Sequence, residues 1–237
     1  MSEVREWRCQ HDGLELIGQL AMPKGDGPHP AILVMHNAYG LGDHMRATLR
    51  KLAELDYVAL ASDMLGNGAY SEKREDAGTL AGPLFQDAEL LRNRAALWLE
   101  QLKAVPGVDP DRMAAIGYCF GGLCVLELAR MGAELKAVVS YHGILTTRTP
   151  AAPGQIKGEV VVFTGACDPY APREQVEAFR AEMVAAQARW NIMEFGTAYH
   201  AFTDPGVSET PSDGLAFDPL ADAVSWAATL AVLEQRV

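Results

Sequence analysis

Short apolar runs and longer segments with helical periodicity alternate along this chain. Runs that are apolar almost throughout are typical of parallel strands buried on both faces. Here they cover residues 31–36, 57–62, 112–116, 135–141, 159–164 and 190–195. Segments with apolar residues at helical spacing lie at residues 43–55, 83–103, 123–131, 172–188 and 219–234. This alternation predicts an α/β fold, a three-layer sandwich with a mostly parallel central sheet.

The boundaries of these elements carry further signals. Residues 7–9 and 14–21 flank the turn sequence His11-Asp12-Gly13, which predicts an N-terminal antiparallel hairpin. We expect Asp43 to cap the helix that follows it. Residues 66–82 are rich in glycine and charge without a clear period, so they are predicted to form a loop or lid. Residues 106–111 are predicted to be a turn, and residues 1–237 a single domain.

One turn has the pattern of a catalytic nucleophile. The stretch Gly117-Tyr118-Cys119-Phe120-Gly121-Gly122 separates a predicted strand from a predicted helix. Gly-x-Cys-x-Gly fits the nucleophile elbow, in which small neighbours let strand and helix approach each other. Cys119 would face the first turn of that helix, whose N–H groups favour an anion. The alternative is that Cys119 is a buried packing residue.

A thiol nucleophile needs a base, and the base needs a carboxylate to orient it. In elbow folds the chain order is nucleophile, acid, histidine. Downstream of Cys119 the chain has His142 and His200, and His200 alone lies beyond the last predicted strand. Asp168 follows the strand 159–164, where the order requires the acid. The sequence therefore predicts a Cys119–Asp168–His200 triad, with Asp204 and Asp213 as rivals for the acid.

Acyl transfer also requires hydrogen-bond donors for the developing oxyanion. The backbone N–H of Phe120 is one predicted donor, and that of Ala38, after the strand 31–36, is the other. Asn37 and Tyr39 would then line the substrate pocket. The alternative is that residues 37–42 are a simple connection between strand and helix.

Charge and composition narrow the range of partners. The chain has 31 acidic and 20 basic residues, a formal charge of −11, which argues against nucleic acid or an anionic membrane as partner. The charged N-terminus and the absence of a long apolar run predict a cytoplasmic protein. The four cysteines lack metal-site spacing, so neither a metal nor a disulfide is expected. Oligomeric state is left open.

These motifs together resemble the dienelactone hydrolase family, which has an α/β-hydrolase fold and a cysteine nucleophile. The resemblance extends over nearly the whole chain. It lies in residues 31–41, 61–63 and 117–122, in Tyr141-His142-Gly143, in residues 165–172 and in His200-Ala201-Phe202. It implies hydrolysis of a small ester or lactone through a thioester intermediate, without a cofactor. It also implies that Tyr118, His142, Tyr170 and Phe202 contribute to the substrate pocket.

The chain departs from the family pattern at three positions. Asn37 stands where well-known members have a glutamate that helps to activate the cysteine, and an amide cannot accept that proton. Asn67 and Asp204 match two arginines that hold the substrate carboxylate, so dienelactone is not the expected substrate. The alternative function is a non-catalytic ligand-binding or thiol-sensing protein on this scaffold, favoured by Asn37 and by the extra thiols Cys124 and Cys167.

Overall fold

The structure, a computed structural model, describes residues 2–237 apart from the side chain of residue 74. Within that range the chain forms strands and helices in this order: β1 Val4–His11, β2 Leu14–Ala21, β3 His29–Met35, α1 Asp43–Glu54, β4 Val58–Ser62, α2 Arg74–Gln86, α3 Ala88–Lys103, β5 Val108–Tyr118, α4 Phe120–Arg130, β6 Ala137–Tyr141, β7 Glu159–Gly165, α5 Arg173–Ala185, β8 Arg189–Phe195 and α6 Pro219–Arg236.

The strands form one eight-stranded sheet in the order β1-β2-β4-β3-β5-β6-β7-β8. The predicted hairpin is confirmed: β1 and β2 pair antiparallel from Val4–Ala21 to His11–Leu14. Asp12 and Gly13 both have positive φ, the conformation that a two-residue hairpin turn requires. The pairs β3–β4, β6–β7 and β7–β8 are parallel, which confirms the mostly parallel α/β sheet.

By its internal contacts the chain divides into two compact units, residues 1–115 and 116–237, with the boundary inside β5. In the first unit β3 and β4 are the most buried strands, and in the second unit β6 and β7 are buried along their whole length. The single domain expected for residues 1–237 stays a prediction. Within residues 2–237 no helix combines the length and the apolar character needed to cross a bilayer.

Two predictions around residues 66–103 were wrong. The expected loop contains α2, and the expected helix 83–103 is the end of α2 followed by α3. Asp87 separates the two helices, because its extended backbone interrupts the first and its carboxylate caps the second by accepting the Leu90 N–H at 2.9 Å. Pro83 lies inside α2. Glycine and proline within a real helix had masked its periodicity in the sequence.

Two smaller boundaries also differ from the predictions. The expected turn 106–111 is largely strand, since β5 already begins at Val108. Asp43 does not cap α1; Gly42 holds that position, and the Asp43 carboxylate instead pairs with Arg46 at 2.9 Å. An acid in the first turn still stabilises the helix through its dipole.

Candidate active site

Cys119 lies at the junction of β5 and α4, in the second unit. Its backbone has φ 54° and ψ −113°, a conformation that residues with a side chain rarely adopt and that clusters at functional sites. Its N–H donates to the Tyr141 carbonyl at 3.0 Å. A Cβ atom at Gly117 would lie 2.1 Å from the Gly121 carbonyl oxygen. Strand and helix therefore meet in this sharp turn because residue 117 is a glycine.

Asp168 and His200 come from the segments after β7 and β8 and are in direct contact. The Asp168 Oδ2 atom lies 2.8 Å from His200 Nδ1, and both side chains are almost completely buried. The second carboxylate oxygen accepts the Tyr170 N–H at 2.7 Å. The His200 backbone is held by Gly214, whose carbonyl accepts its N–H at 3.1 Å, and by Ala216, whose N–H donates to its carbonyl at 3.1 Å. Both side chains are thus fixed by backbone contacts.

The charge state of His200 depends on Cys119. Burial disfavours a charged imidazole, but negative charge on Cys119 and hydrogen bonds with Asp168 and Cys119 outweigh it and raise the pKa of His200 to about 10. Because Asp168 contacts Nδ1, the Nε2 side of the ring is the side left for Cys119. The structure therefore brings the three predicted triad residues together, in an arrangement that favours imidazolium beside thiolate.

Asp204, a rival for the acid, has a different partner. Its carboxylate accepts the Gly206 N–H at 2.9 Å, within its own turn. Asp213 is exposed and has a positive φ of 52°. In the part of the chain that the structure describes, no group of three or more His, Cys, Asp or Glu side chains is arranged to hold a metal ion.

The aromatic residues expected in the pocket differ in exposure. Tyr170 is 41% exposed, and its ring centroid lies 4.7 Å from that of His200. Tyr118 is buried and stacks on Tyr141 at 4.7 Å, and Phe202 is completely buried. Tyr170 is exposed enough to contact a ligand. The rings of Tyr118 and Phe202 are buried and pack beneath the site. Their pocket roles stay predictions.

A buried polar pair, His142 and Thr203, lies beside His200, and the sequence indicates only His142 as a site residue. His142 was expected in the pocket, whereas Thr203 gave no signal because its partner lies 61 residues away. The Nε2 atom of His142 and the Oγ1 atom of Thr203 are 2.8 Å apart. The His142 ring also meets the His200 ring edge-on, with centroids 5.1 Å apart.

The loop after β3 belongs to the first unit and contains Ala38. The side-chain oxygen of Asn37 accepts the Tyr39 N–H at 3.0 Å, which makes a tight turn. His36 is buried; its Nδ1 contacts the Asn37 carbonyl, and its Nε2 accepts the Met64 N–H at 3.1 Å. Burial lowers the pKa of His36, outweighing the hydrogen bond to Asn37, so the ring is neutral. The oxyanion role of Ala38 stays a prediction.

Comparisons with known proteins agree with this fold. The family model described as "Dienelactone hydrolase family" matches residues 16–237. A protein of Escherichia coli O157:H7 named "Putative carboxymethylenebutenolidase" is 30% identical over 196 residues, which cover 77% of this chain and 71% of that protein.

Two solved structures are similar over almost their whole length. One, m3DLH, is 38% identical with a TM-score of 0.91, covering 99% of this chain and 98% of that chain. The other is described as a dienelactone hydrolase-like promiscuous phosphotriesterase, P91, from metagenomic libraries; it is 34% identical with a TM-score of 0.90, with the same coverage. Since the family model matches nearly every residue from the second strand onward, this chain belongs to the dienelactone hydrolase family.

Proposed function

We propose that this protein hydrolyses small carboxylic esters or lactones, with Cys119 as nucleophile, His200 as acid and base, and Asp168 as the orienting acid. One observation supports this most strongly. A buried histidine is held by a carboxylate on one nitrogen and hydrogen-bonded to an elbow cysteine, and these two partners together raise its pKa to about 10. A structural histidine does not need that pair of partners.

Acylation starts from the ion pair. The Cys119 thiolate attacks the carbonyl carbon of the ester, and the C–O bond to the leaving group breaks when the tetrahedral intermediate collapses. The His200 imidazolium gives its proton to the departing oxygen, so the products of this step are an alcohol and a thioester on Cys119. Phe120, the first residue of α4, offers its N–H to the oxyanion from the positive end of the helix.

Deacylation requires His200 to be a base, and acylation itself makes it one. The charge and the hydrogen bond of Cys119 are among the contributions that raise the His200 pKa, and both disappear when the sulfur is acylated. Burial, which lowers the pKa of His200, is then opposed by Asp168 alone, so the pKa of His200 falls. The neutral imidazole takes a proton from water, the hydroxide attacks the thioester, and the Cys119 thiolate leaves with the pair restored.

The substrate is proposed to be an uncharged ester or lactone. The resemblance implies that Asn67 and Asp204 match two arginines that hold a substrate carboxylate in well-known family members, so an anionic group would lack those partners here. A second candidate is phosphotriester hydrolysis, supported by the 34% identity to a promiscuous phosphotriesterase. Phosphotriesters are uncharged too, so the same thiolate would attack phosphorus in place of carbon.

The thiol-sensing alternative predicts a single reaction. Cys167 is exposed and Cys124 is buried, so the sensor hypothesis expects labelling of Cys167 to matter. Burial raises the pKa of Cys124, which makes that thiol a poor competitor. A sensor would react once with p-nitrophenyl acetate and stop, whereas an enzyme releases p-nitrophenol continuously.

The experiment compares Cys119→Ala with Cys167→Ala on p-nitrophenyl acetate, with iodoacetamide labelling of the parent mapped by mass spectrometry. We expect continuous turnover that is lost in Cys119→Ala, kept in Cys167→Ala and abolished by stoichiometric alkylation of Cys119. Labelling of Cys167 with full activity loss, or turnover in Cys119→Ala, would refute the proposal.

A further inference from the structure

His142 follows β6 in an unusual backbone conformation. Its φ is 39°, in the left-handed region that residues with a side chain rarely enter, and the residue is 2% exposed. Such outliers persist when the surrounding structure holds them, and they cluster at functional sites. The triad does not include His142, so its position needs another explanation.

The backbone around His142 is fixed to the nucleophile turn. Its own N–H donates to the Phe163 carbonyl at 2.8 Å, and the preceding carbonyl, that of Tyr141, accepts the Cys119 N–H at 3.0 Å. On the other side, a Cβ atom at Gly143 would lie 3.0 Å from the Gly122 Cα atom. The residues on both sides of His142 therefore contact the elbow.

The ring of His142 contacts the segment that contains His200, and its centroid lies 6.2 Å from that of Tyr118 in the nucleophile turn. It meets the His200 ring edge-on at 5.1 Å and an angle of 67°, and it hydrogen-bonds to Thr203. Thr203 is 2% exposed and lies three residues after His200, where the Asp204 N–H donates to the Ala201 carbonyl at 3.0 Å. His142 therefore connects the nucleophile turn, through its neighbours in the chain, with residues 200–203, through its ring.

We infer that His142 is a positioning residue that, through its bond to Thr203, sets the His200 imidazole against Cys119. This rests on the proposed function. His200 must keep two directional hydrogen bonds, one to Asp168 and one to Cys119, and a small rotation of its ring weakens both. The His142 ring blocks that rotation from a third side. A displacement of about 1 Å in such a group can lower the rate on the order of a hundredfold.

The test removes the His142–Thr203 bond from each end. His142→Phe keeps a ring of similar size, and Thr203→Val keeps the volume of the threonine. Thr229→Val is the matched control, because Thr229 is also fully buried in the second unit and its hydroxyl bonds to the Tyr141 hydroxyl. Measurements are kcat and KM for p-nitrophenyl acetate, the rate at which iodoacetamide alkylates Cys119, and the pH above which acylation declines.

We expect Thr203→Val and His142→Phe each to lower kcat about tenfold or more with little change in KM. Both should slow alkylation and move the alkaline decline below pH about 10, since a displaced His200 loses part of its contact with Cys119. The groups that face His200 here include Cys119, Asp168, His142 and Tyr170. The double variant should be no worse than either single variant, because both remove one bond.

Two results would overturn the inference. A raised KM at unchanged kcat would make His142 a substrate contact, and a Thr203→Val variant that behaves like Thr229→Val would make the pair ordinary packing. If His142→Phe does not fold, Thr203→Val decides alone. A failure of the proposed function would be recognised by a different result, namely hydrolysis of p-nitrophenyl acetate by the Cys119→Ala variant.

Discussion

His36 and His200 are both buried histidines, yet the His36 ring is neutral whereas the raised pKa of His200 favours a positive charge. Each lies just beyond a parallel strand, His36 after β3 in the first unit and His200 beyond β8 in the second, and both are at most 3% exposed. Burial alone would make both rings neutral. The pKa of His36 is indeed lowered from the ordinary 6.5, whereas that of His200 is raised to about 10.

The difference lies in what the ring nitrogens meet. His36 is bonded to two backbone groups, the Asn37 carbonyl and the Met64 N–H, and one of these needs a lone pair that a protonated ring would not have. His200 contacts the Asp168 carboxylate through Nδ1 and hydrogen-bonds to Cys119, and negative charge on Cys119 raises the pKa of the histidine. Backbone partners of this kind keep a buried histidine neutral, and anionic partners favour its protonated form.

The largest expected effect is on the His200 side of this comparison. Asp168→Asn keeps an oxygen for the Tyr170 N–H but offers His200 Nδ1 an amide, which favours the wrong tautomer. Loss of the corresponding acid in a serine protease lowers kcat on the order of ten-thousand-fold. We expect a loss of similar size here in p-nitrophenyl acetate hydrolysis, with an unchanged circular dichroism spectrum.

Asp204→Asn is the control for that experiment, because the Asp204 carboxylate lies in its own turn. It should retain most of the parent activity. An Asp168→Asn variant within a few-fold of the parent, or a severe loss in Asp204→Asn, would show that another acid orients His200.

The next prediction is that a single substitution gives His200 a lower pKa, closer to the behaviour of His36. Cys119→Ala removes the thiolate charge and one hydrogen bond, leaving burial, which lowers the pKa, against Asp168 alone. We expect the pKa of His200 to fall well below about 10 in this variant. An NMR titration of the histidine ring signals in both proteins measures it. A His200 pKa that stays near 10 would mean that Asp168, and not the thiol, holds the charge.

A third prediction concerns His36 and the acid side of the pH scale. The folded-state pKa of His36 lies below its ordinary 6.5, so protonation opposes folding. The contribution of the neutral His36 ring to the free energy of unfolding is therefore complete above pH about 6.5. It is lost as the pH falls from 6.5 towards the lowered pKa of His36 in the folded protein. His36→Gln, which keeps an acceptor for the Met64 N–H but cannot titrate, should reduce this loss in the free energy of unfolding measured by urea denaturation. An identical pH slope in both proteins would contradict the assignment.

The smallest effect is expected at Asn37, the partner of the His36 ring. Asn37→Ala removes the oxygen that accepts the Tyr39 N–H and should lower activity by a modest factor, since a single turn-forming bond contributes about 1 kcal/mol. Asn37→Glu introduces the glutamate that the resemblance implies for this position and should lower activity on uncharged esters, because the pocket predicted around Asn37 has no such charge. Asn37→Asp, which keeps the turn acceptor, separates the two effects. A clear gain in Asn37→Glu would favour the sensor hypothesis.

Much of the fold was predictable because its signals are local. Apolar runs such as residues 159–164 and the turn His11-Asp12-Gly13 report directly on buried strands and a hairpin. The break at Asp87 was missed because the helical spacing continues from the last residues of α2 into α3, and a single capping carboxylate separates the two helices. Chain order alone predicted which acid and which histidine the structure brings together.

What the sequence determined by itself is most of the elements, their order and the three residues predicted to form the triad, because these depend on short-range pattern and on a fixed topological order. Only the tertiary structure decided the charge of each buried histidine and the link from His142 to Thr203. A pKa depends on the groups that distant segments bring within a few ångströms, 28 residues away for His36 and 32 for His200. Such contacts leave no pattern along the chain.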